Sequence, residues 1–299
     1  MSDAPCWTAA RRGKHCWAHA TDFTGARITR ERSKHGHHHI PDGTTIACWR
    51  SGSGPPLLLL HGAMSDHTRW GEVDESLKKH FTVYAIDRRG RGQSGDGPAY
   101  SMARECEDAI AVLKHIDRPT TAIGHSYGAD IALDSALMTD RITHLLLYEP
   151  GILEGVRGYY AGAAVAAALD EAEALLDEGR PEDAVITILR KVVEVSDDDL
   201  EMLRASAAWP NRVAAAHTVL CEIRAEGSWM FDPARYADLQ TPILLLTGSE
   251  SYQIARDGTS AHHEALPNSR IAMLEGQGHV AMTTAPDLFV REVIDFLIR

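Results

Sequence analysis

Long apolar runs are missing from this sequence. No stretch approaches the ~18–20 consecutive apolar residues of a membrane-spanning helix, so no such span is expected. Arg11-Arg12 has the look of a twin-arginine signal, but no apolar segment follows it. Positive charge is in deficit: 30 Lys and Arg stand against 42 Asp and Glu, a formal net charge of −12. That balance argues against a nucleic-acid or anionic-membrane partner. Cysteine is sparse and odd in number. Cys6, Cys16, Cys48, Cys106 and Cys221 are scattered, which fits reduced thiols in a cytoplasmic protein rather than a disulfide framework. Internal repeats and low-complexity tracts are also missing. What remains is ordinary globular composition, 44% hydrophobic and 24% charged over 299 residues. That suffices for one large domain, or a domain with an insertion, around a sizeable core.

Residues 1–39 carry no sustained apolar period and read as a disordered N-terminal extension. They are locally basic and hold Cys6, His15, Cys16, His19 and the cluster His35, His37, His38 and His39. Imidazole and thiolate are metal ligands, but no finger spacing is present, and no metal site is expected.

From Ile40 onward strands and helices alternate. Thr44 to Arg50 predicts a strand, and Leu57-Leu58-Leu59-Leu60, running into His61-Gly62-Ala63, predicts one buried on both faces. Trp70–His80 reads as a helix, Phe81–Ile86 as a strand and Ser101–Ile116 as an amphipathic helix. Ile142–Tyr148 reads as a strand ending in Glu149-Pro150. Residues 151–236 then become rich in Ala, Glu, Leu and Arg, without strand signals, and predict a helical cap of three to five helices. The βα rhythm resumes over 237–299. The expectation is an α/β fold: a mostly parallel, doubly wound sheet from residues 40–150 and 237–299, with the helices inserted between.

Gly124-His125-Ser126-Tyr127-Gly128 sits between the apolar run Thr120–Ile123 and a helical pattern from Ala129. A strand, a tight turn with serine at its apex and a helix together present a hydroxyl free of its own backbone. The helix start aims free N–H groups at a developing oxyanion, and the elbow supplies that of Tyr127. His61, Ser126, Glu149, Gly248 and the Gly276-Gln277-Gly278-His279 loop all follow strand C-termini, on one sheet edge. A base must reach the Ser126 hydroxyl. Among sixteen histidines, His279 in its Gly-flanked loop is the candidate. His125 is expected to point away, and His144 to be structural. Two acids are open as its partner. Glu149 is fixed between a strand and Pro150, whereas Glu250 lies in Gly248-Ser249-Glu250-Ser251.

The motifs at His61-Gly62, Asp87-Arg88-Arg89-Gly90-Arg91-Gly92-Gln93-Ser94, Gly124–Gly128 and Gly276–His279, in this order, resemble the α/β-hydrolase family over residues 44–299. The resemblance implies a cofactor-free serine hydrolase acting on a small carboxylic ester, thioester or lactone. It implies Ala63 as the second oxyanion donor beside Tyr127, and His61 as support for that loop. It allows an acid in the second loop at Ser251, one residue after Glu250, or at the strand end of Glu149, and Glu149 is narrowly favoured. Asp87 and Gly90-Arg91-Gly92 are expected to be structural, and Asp197-Asp198-Asp199 a solvated helix start. Val156, Tyr159, Tyr160, Leu175 and Trp209 are candidates for the substrate pocket or for plain packing. The partner is a small-molecule substrate. The competing reading is a non-hydrolytic small-molecule binding protein on the same fold. Composition leaves the oligomeric state open.

Overall fold

Apolar residues at every position of Leu57–Leu60 require a sheet covered on both sides, and the computed structural model provides it. The structure describes residues 34–39, 42–97, 99–151, 163–193, 195, 197–228 and 231–298. Eight strands form one sheet: β1 (Lys34–His39), β2 (Thr45–Gly52), β3 (Pro56–Leu60), β4 (Thr82–Ile86), β5 (Thr120–His125), β6 (Ile142–Tyr148), β7 (Ile243–Gly248) and β8 (Ser269–Leu274). Their spatial order is β1-β2-β4-β3-β5-β6-β7-β8. β2 is antiparallel to both neighbours, and every other pairing is parallel.

Side chains alternate across the pleat, so successive leucines serve different layers. Leu58 and Leu60 pack under α2 (Met102–Ile116) and α3 (Tyr127–Ala136). Leu57 and Leu59 pack under α1 (Gly71–Leu77) and the C-terminal helices. Each fully buried leucine contributes roughly 1.5–3 kcal/mol, so these layers hold the sheet edge in place beneath the site.

Between β6 and β7 lie five described helices: α4 (Ala163–Asp177), α5 (Pro181–Lys191), α6 (Asp197–Ala205), α7 (Trp209–Ala214) and α8 (Ala216–Ser228). They share an apolar cluster of their own, which Met64 joins from the loop after β3. Two boundaries differ from the sequence reading. Phe231 and Tyr236 already pack in the sheet's core, and Tyr236 donates to Asp134 Oδ1 across 2.6 Å, so core packing resumes before residue 237.

The other difference is at the start. Lys34–His39 is a strand, pairing antiparallel with β2 from Lys34↔Arg50 to His39↔Thr45, although it falls within the segment read as disordered. An edge strand is held by backbone hydrogen bonds and needs no apolar period, which is why its polar sequence hid it. Residues 1–33, with Cys6, Cys16, His15 and His19, lie outside the described residues.

The remaining helices are α9 (Gln253–Ala265), α10 (Ala281–Thr284) and α11 (Pro286–Leu297). No described helix is long and apolar enough to cross a membrane. Cys48, Cys106 and Cys221 are free and buried. Burial pushes the Cys48 thiol up to about 12, leaving it an inert thiol rather than a thiolate.

Candidate active site

At the end of β5 the chain reverses into α3 through Ser126, whose φ of 53° lies in a region L-residues rarely occupy. The turn is tight enough to exclude side chains on both flanks. A Cβ on Gly124 would stand 2.4 Å from Ala129 Cα, and one on Gly128 would stand 2.3 Å from the Leu60 carbonyl oxygen. The turn is pinned by Ser126 N–H donating to Tyr148 O across 2.9 Å. Four described non-glycine residues have positive φ: Met64, Asp117, Ser126 and Glu149. Asp117 ends α2, and the other three border one cavity. Strain gathered in this way makes the cavity the candidate site.

The loop after β8 brings His279 to the same cavity. His279 Nδ1 lies 2.6 Å from Glu149 Oε2. The other carboxylate oxygen, Oε1, accepts from Thr247 Oγ1 at 3.0 Å, from Gly248 N–H at 2.8 Å and from Ser251 Oγ. Burial pushes the Glu149 carboxyl up. The bonds from His279, Ser251 and Gly248 outweigh it and hold the group below the usual carboxylate range. Glu250 is exposed, and its carboxylate accepts from the neighbouring Ser249 hydroxyl at 3.3 Å. Of the two acids, therefore, Glu149 meets the imidazole. Ser251, on the same loop as Glu250, bonds the Glu149 carboxylate.

The His279 loop is itself tied down. His125 Nε2–H donates to His279 O at 2.8 Å, and the two rings lie 4.6 Å apart. Tyr148 Oη donates to Gly278 O and accepts from Ala281 N–H at 3.2 Å. His125 does not point away from the site, as sequence position suggested. β5 is central, so its last side chain turns under the neighbouring loop. Burial, then the neighbouring His279, keeps His125 well below the usual imidazole range, hence neutral. His144 is remote from the cavity, with Nδ1 3.3 Å from Thr143 Oγ1.

Ala63 and Tyr127 flank Ser126 on the cavity wall. Tyr127 opens α3, so its N–H has no intrahelical acceptor. His61 is fully buried behind Ala63. Its Nε2 accepts from Arg88 N–H at 3.1 Å, which leaves Nδ1–H to donate to Gly62 O at 2.8 Å. Burial, then the Arg88 charge, keeps it neutral, so this imidazole is a strut for the loop and not a base. Asp87 is likewise absorbed by its own turn, accepting from His67 N–H at 2.8 Å and Gln93 N–H at 2.7 Å. Asp66, His67 and Asp87 are the one described cluster with metal-ligand spacing. Asp66 and Asp87 are already committed to hydrogen bonds there, with Asp66 accepting from Thr68 N–H at 2.9 Å.

The space around Ser126 has two lobes. One, of about 370 Å³, runs past Arg69, Leu189, Val193 and Arg212. The other, of about 390 Å³, runs past Ile188, Val192, Val219 and Ile223. Of the five pocket candidates named from sequence, Leu175 and Trp209 pack inside the helical insertion, where Trp209 Nε1 donates to Glu182 at 3.0 Å. Val156, Tyr159 and Tyr160 lie outside the described residues. The sequence reading missed Arg69 and Arg212 altogether, because nothing in their neighbours' pattern distinguishes them from surface arginines.

Comparison with known proteins gives this geometry a family. The profile of the alpha/beta hydrolase family matches residues 57–292. A solved alpha/beta hydrolase from Sphaerobacter thermophilus is 34% identical, with a TM-score of 0.78, covering 87% of this chain and 99% of that one. A putative esterase/lipase from Haemophilus influenzae is 24% identical over 81% of this chain and 83% of its own length. An Acinetobacter baylyi relative named (E)-2-((N-methylformamido)methylene)succinate hydrolase is 23% identical over 83% of this chain and 92% of its own. With the matched profile spanning most of the chain and the strand order and elbow in place, this enzyme is a hydrolase of the alpha/beta hydrolase family.

Proposed function

We propose that the chain is a serine hydrolase that cleaves a small carboxylic ester, thioester or lactone through an acyl-enzyme. One observation carries this reading. Ser126, held at positive φ, shares a cavity with His279, whose other nitrogen side is anchored to a buried carboxylate. Ester cleavage is also what the esterase/lipase relative's name describes.

In the proposed reaction His279 Nε2 takes the Ser126 hydroxyl proton as Oγ attacks the substrate carbonyl carbon. The negative charge moves to the carbonyl oxygen, where the N–H groups of Ala63 and Tyr127 receive it. Each such donor supplies roughly 3 kcal/mol to the transition state. Glu149 fixes the His279 tautomer, with the proton on Nδ1, and stabilises the imidazolium. The imidazolium protonates the departing alkoxide or thiolate, and the acyl group stays on Oγ. His279 then deprotonates a water that attacks the acyl carbon; the bond from that carbon to Ser126 Oγ breaks, the imidazolium returns its proton to Oγ, and the acid is released. In this scheme the helical insertion over residues 151–236 acts as a lid, and its α5 and α8 residues form the walls that face the substrate.

A neutral fluorophosphonate probe tests the scheme. The pure protein should be labelled at Ser126, and Ser126→Ala should lose both label and esterase turnover. Labelling that persists in Ser126→Ala sinks the assignment.

A further inference from the structure

This fold pairs its buried arginines with care. Arg88 meets Glu105 at 2.9 Å, Arg89 meets Asp108 at 2.7 Å, and Arg91 meets Glu222 at 2.8 Å. Two arginines break the pattern, and both face the same lobe beside Ser126 and His279. Arg212, on α7, is 7% exposed. Arg69, in the turn before α1, is partly buried, and its Nε has no hydrogen-bond partner. Among the described residues neither guanidinium makes an ion pair or an accepted hydrogen bond.

An unpaired charge this far from water is costly unless something arrives to compensate it. Here two like charges converge, which adds repulsion. Burial, then the Arg69 charge, pushes Arg212 down to about 9. The acidic groups nearby answer them in part at most. The Asp66 charge favours the Arg69 guanidinium without forming an ion pair with it, while its Oδ1 accepts from Thr68, and Glu250 on the cavity rim is exposed and bonded to Ser249. A positive pocket also runs against a chain whose formal net charge is −12, so it is a local feature and not a sample of the surface.

The second lobe has no arginine on its wall. Ile188, Val192, Val219 and Ile223 line it beside Asp257 and Glu222, and the Glu222 carboxylate is held by Arg88 and Arg91. Ser126 stands where the two lobes join.

We propose that Arg69 and Arg212 form a carboxylate subsite, so that the substrate carries an anionic carboxylate on one side of its scissile carbonyl and an apolar group on the other. A planar guanidinium matches a carboxylate through two parallel N–H···O bonds. Arg212 arrives from the helical insertion and Arg69 from the core. A carboxylate bound between them therefore contacts both parts at once. This inference rests on the serine-hydrolase reading for its chemistry, but not for its binding.

The test compares monomethyl succinate with its neutral isostere, methyl 4-methylpentanoate. In the native chain kcat/KM should favour the anionic ester by at least about tenfold, with the preference shrinking as salt is raised. Arg212→Met and Arg69→Met should each remove most of that preference, bringing the ratio toward one chiefly through KM, and Arg212→Lys should restore part of it. Binding is measured separately by calorimetry on Ser126→Ala, which needs no turnover. There the anionic ester should bind more tightly than the isostere, and Arg69→Met added to Ser126→Ala should weaken it. Equal affinity for the two esters, or a preference indifferent to both arginines and to salt, overturns the subsite. Failure of fluorophosphonate labelling with anion binding intact would remove the serine chemistry and leave the subsite standing.

Discussion

His279 Nδ1 and Glu149 Oε2 lie 2.6 Å apart, although 130 residues of chain separate them. The contact joins the end of β6 to the loop after β8, across the intervening strand β7. Glu149 brings to it a carboxylate already held by three other donors. If this pair orients the base, Glu149→Gln should lower kcat about 10³- to 10⁴-fold, since the amide can favour the wrong imidazole tautomer. Glu250→Gln removes an exposed group and should leave kcat within a few-fold. Ester hydrolysis with active-site titration measures both, and comparable losses in the two variants contradict the assignment.

The same carboxylate predicts a pH dependence. Its folded-state pKa lies below the ordinary value, so ionised Glu149 adds stability above the unfolded-state pKa, and this is lost as pH falls through the folded one. The stability gap between the native chain and Glu149→Gln should therefore be widest near neutrality and narrow below about pH 4. Urea midpoints at a series of pH values read it directly. A gap that widens on acidification has the wrong sign.

Gly128 tests the elbow. A methyl there would meet the backbone oxygens of Leu60 and His61 at 2.3 and 2.5 Å, and backbone has nowhere to go. Gly128→Ala should cost about 1–3 kcal/mol or more through overpacking, seen as a lower Tm, and should impair turnover beyond what the lost folded fraction explains. A variant with native Tm and native kcat would mean the turn is looser than described.

Glu222 fastens the helical insertion to the core. It is 1% exposed and reaches Arg91 at 2.8 Å, with Arg88 also in contact. Glu222→Gln leaves two buried guanidinium groups sharing Glu105 alone, which should destabilise by about 3–5 kcal/mol. Thermal unfolding checks this, and a loss under about 1 kcal/mol would show that water reaches the cluster.

Much of this was legible in the chain. The Leu57–Leu60 run predicted a strand buried on both faces, and the serine flanked by Gly124 and Gly128 predicted the elbow, because both signals are local. Period and turn chemistry need only a few neighbouring residues to speak. The same local logic failed at Lys34–His39, where backbone pairing with β2 makes a strand without an apolar pattern.

The choice between Glu149 and Glu250 was of another kind. Both follow strand ends, both are glutamates, and sequence offers one residue of spacing to separate them. The fold separates them by burial, placing Glu149 under the His279 ring and Glu250 in solvent. So it is with Arg69 and Arg212. The order of residues by itself determined the layered α/β architecture and the serine turn, because those follow from short-range patterning. Only tertiary structure decided which charges meet and which are left without a partner, because the cost of a charge depends on neighbours that arrive from distant segments and on the water they displace.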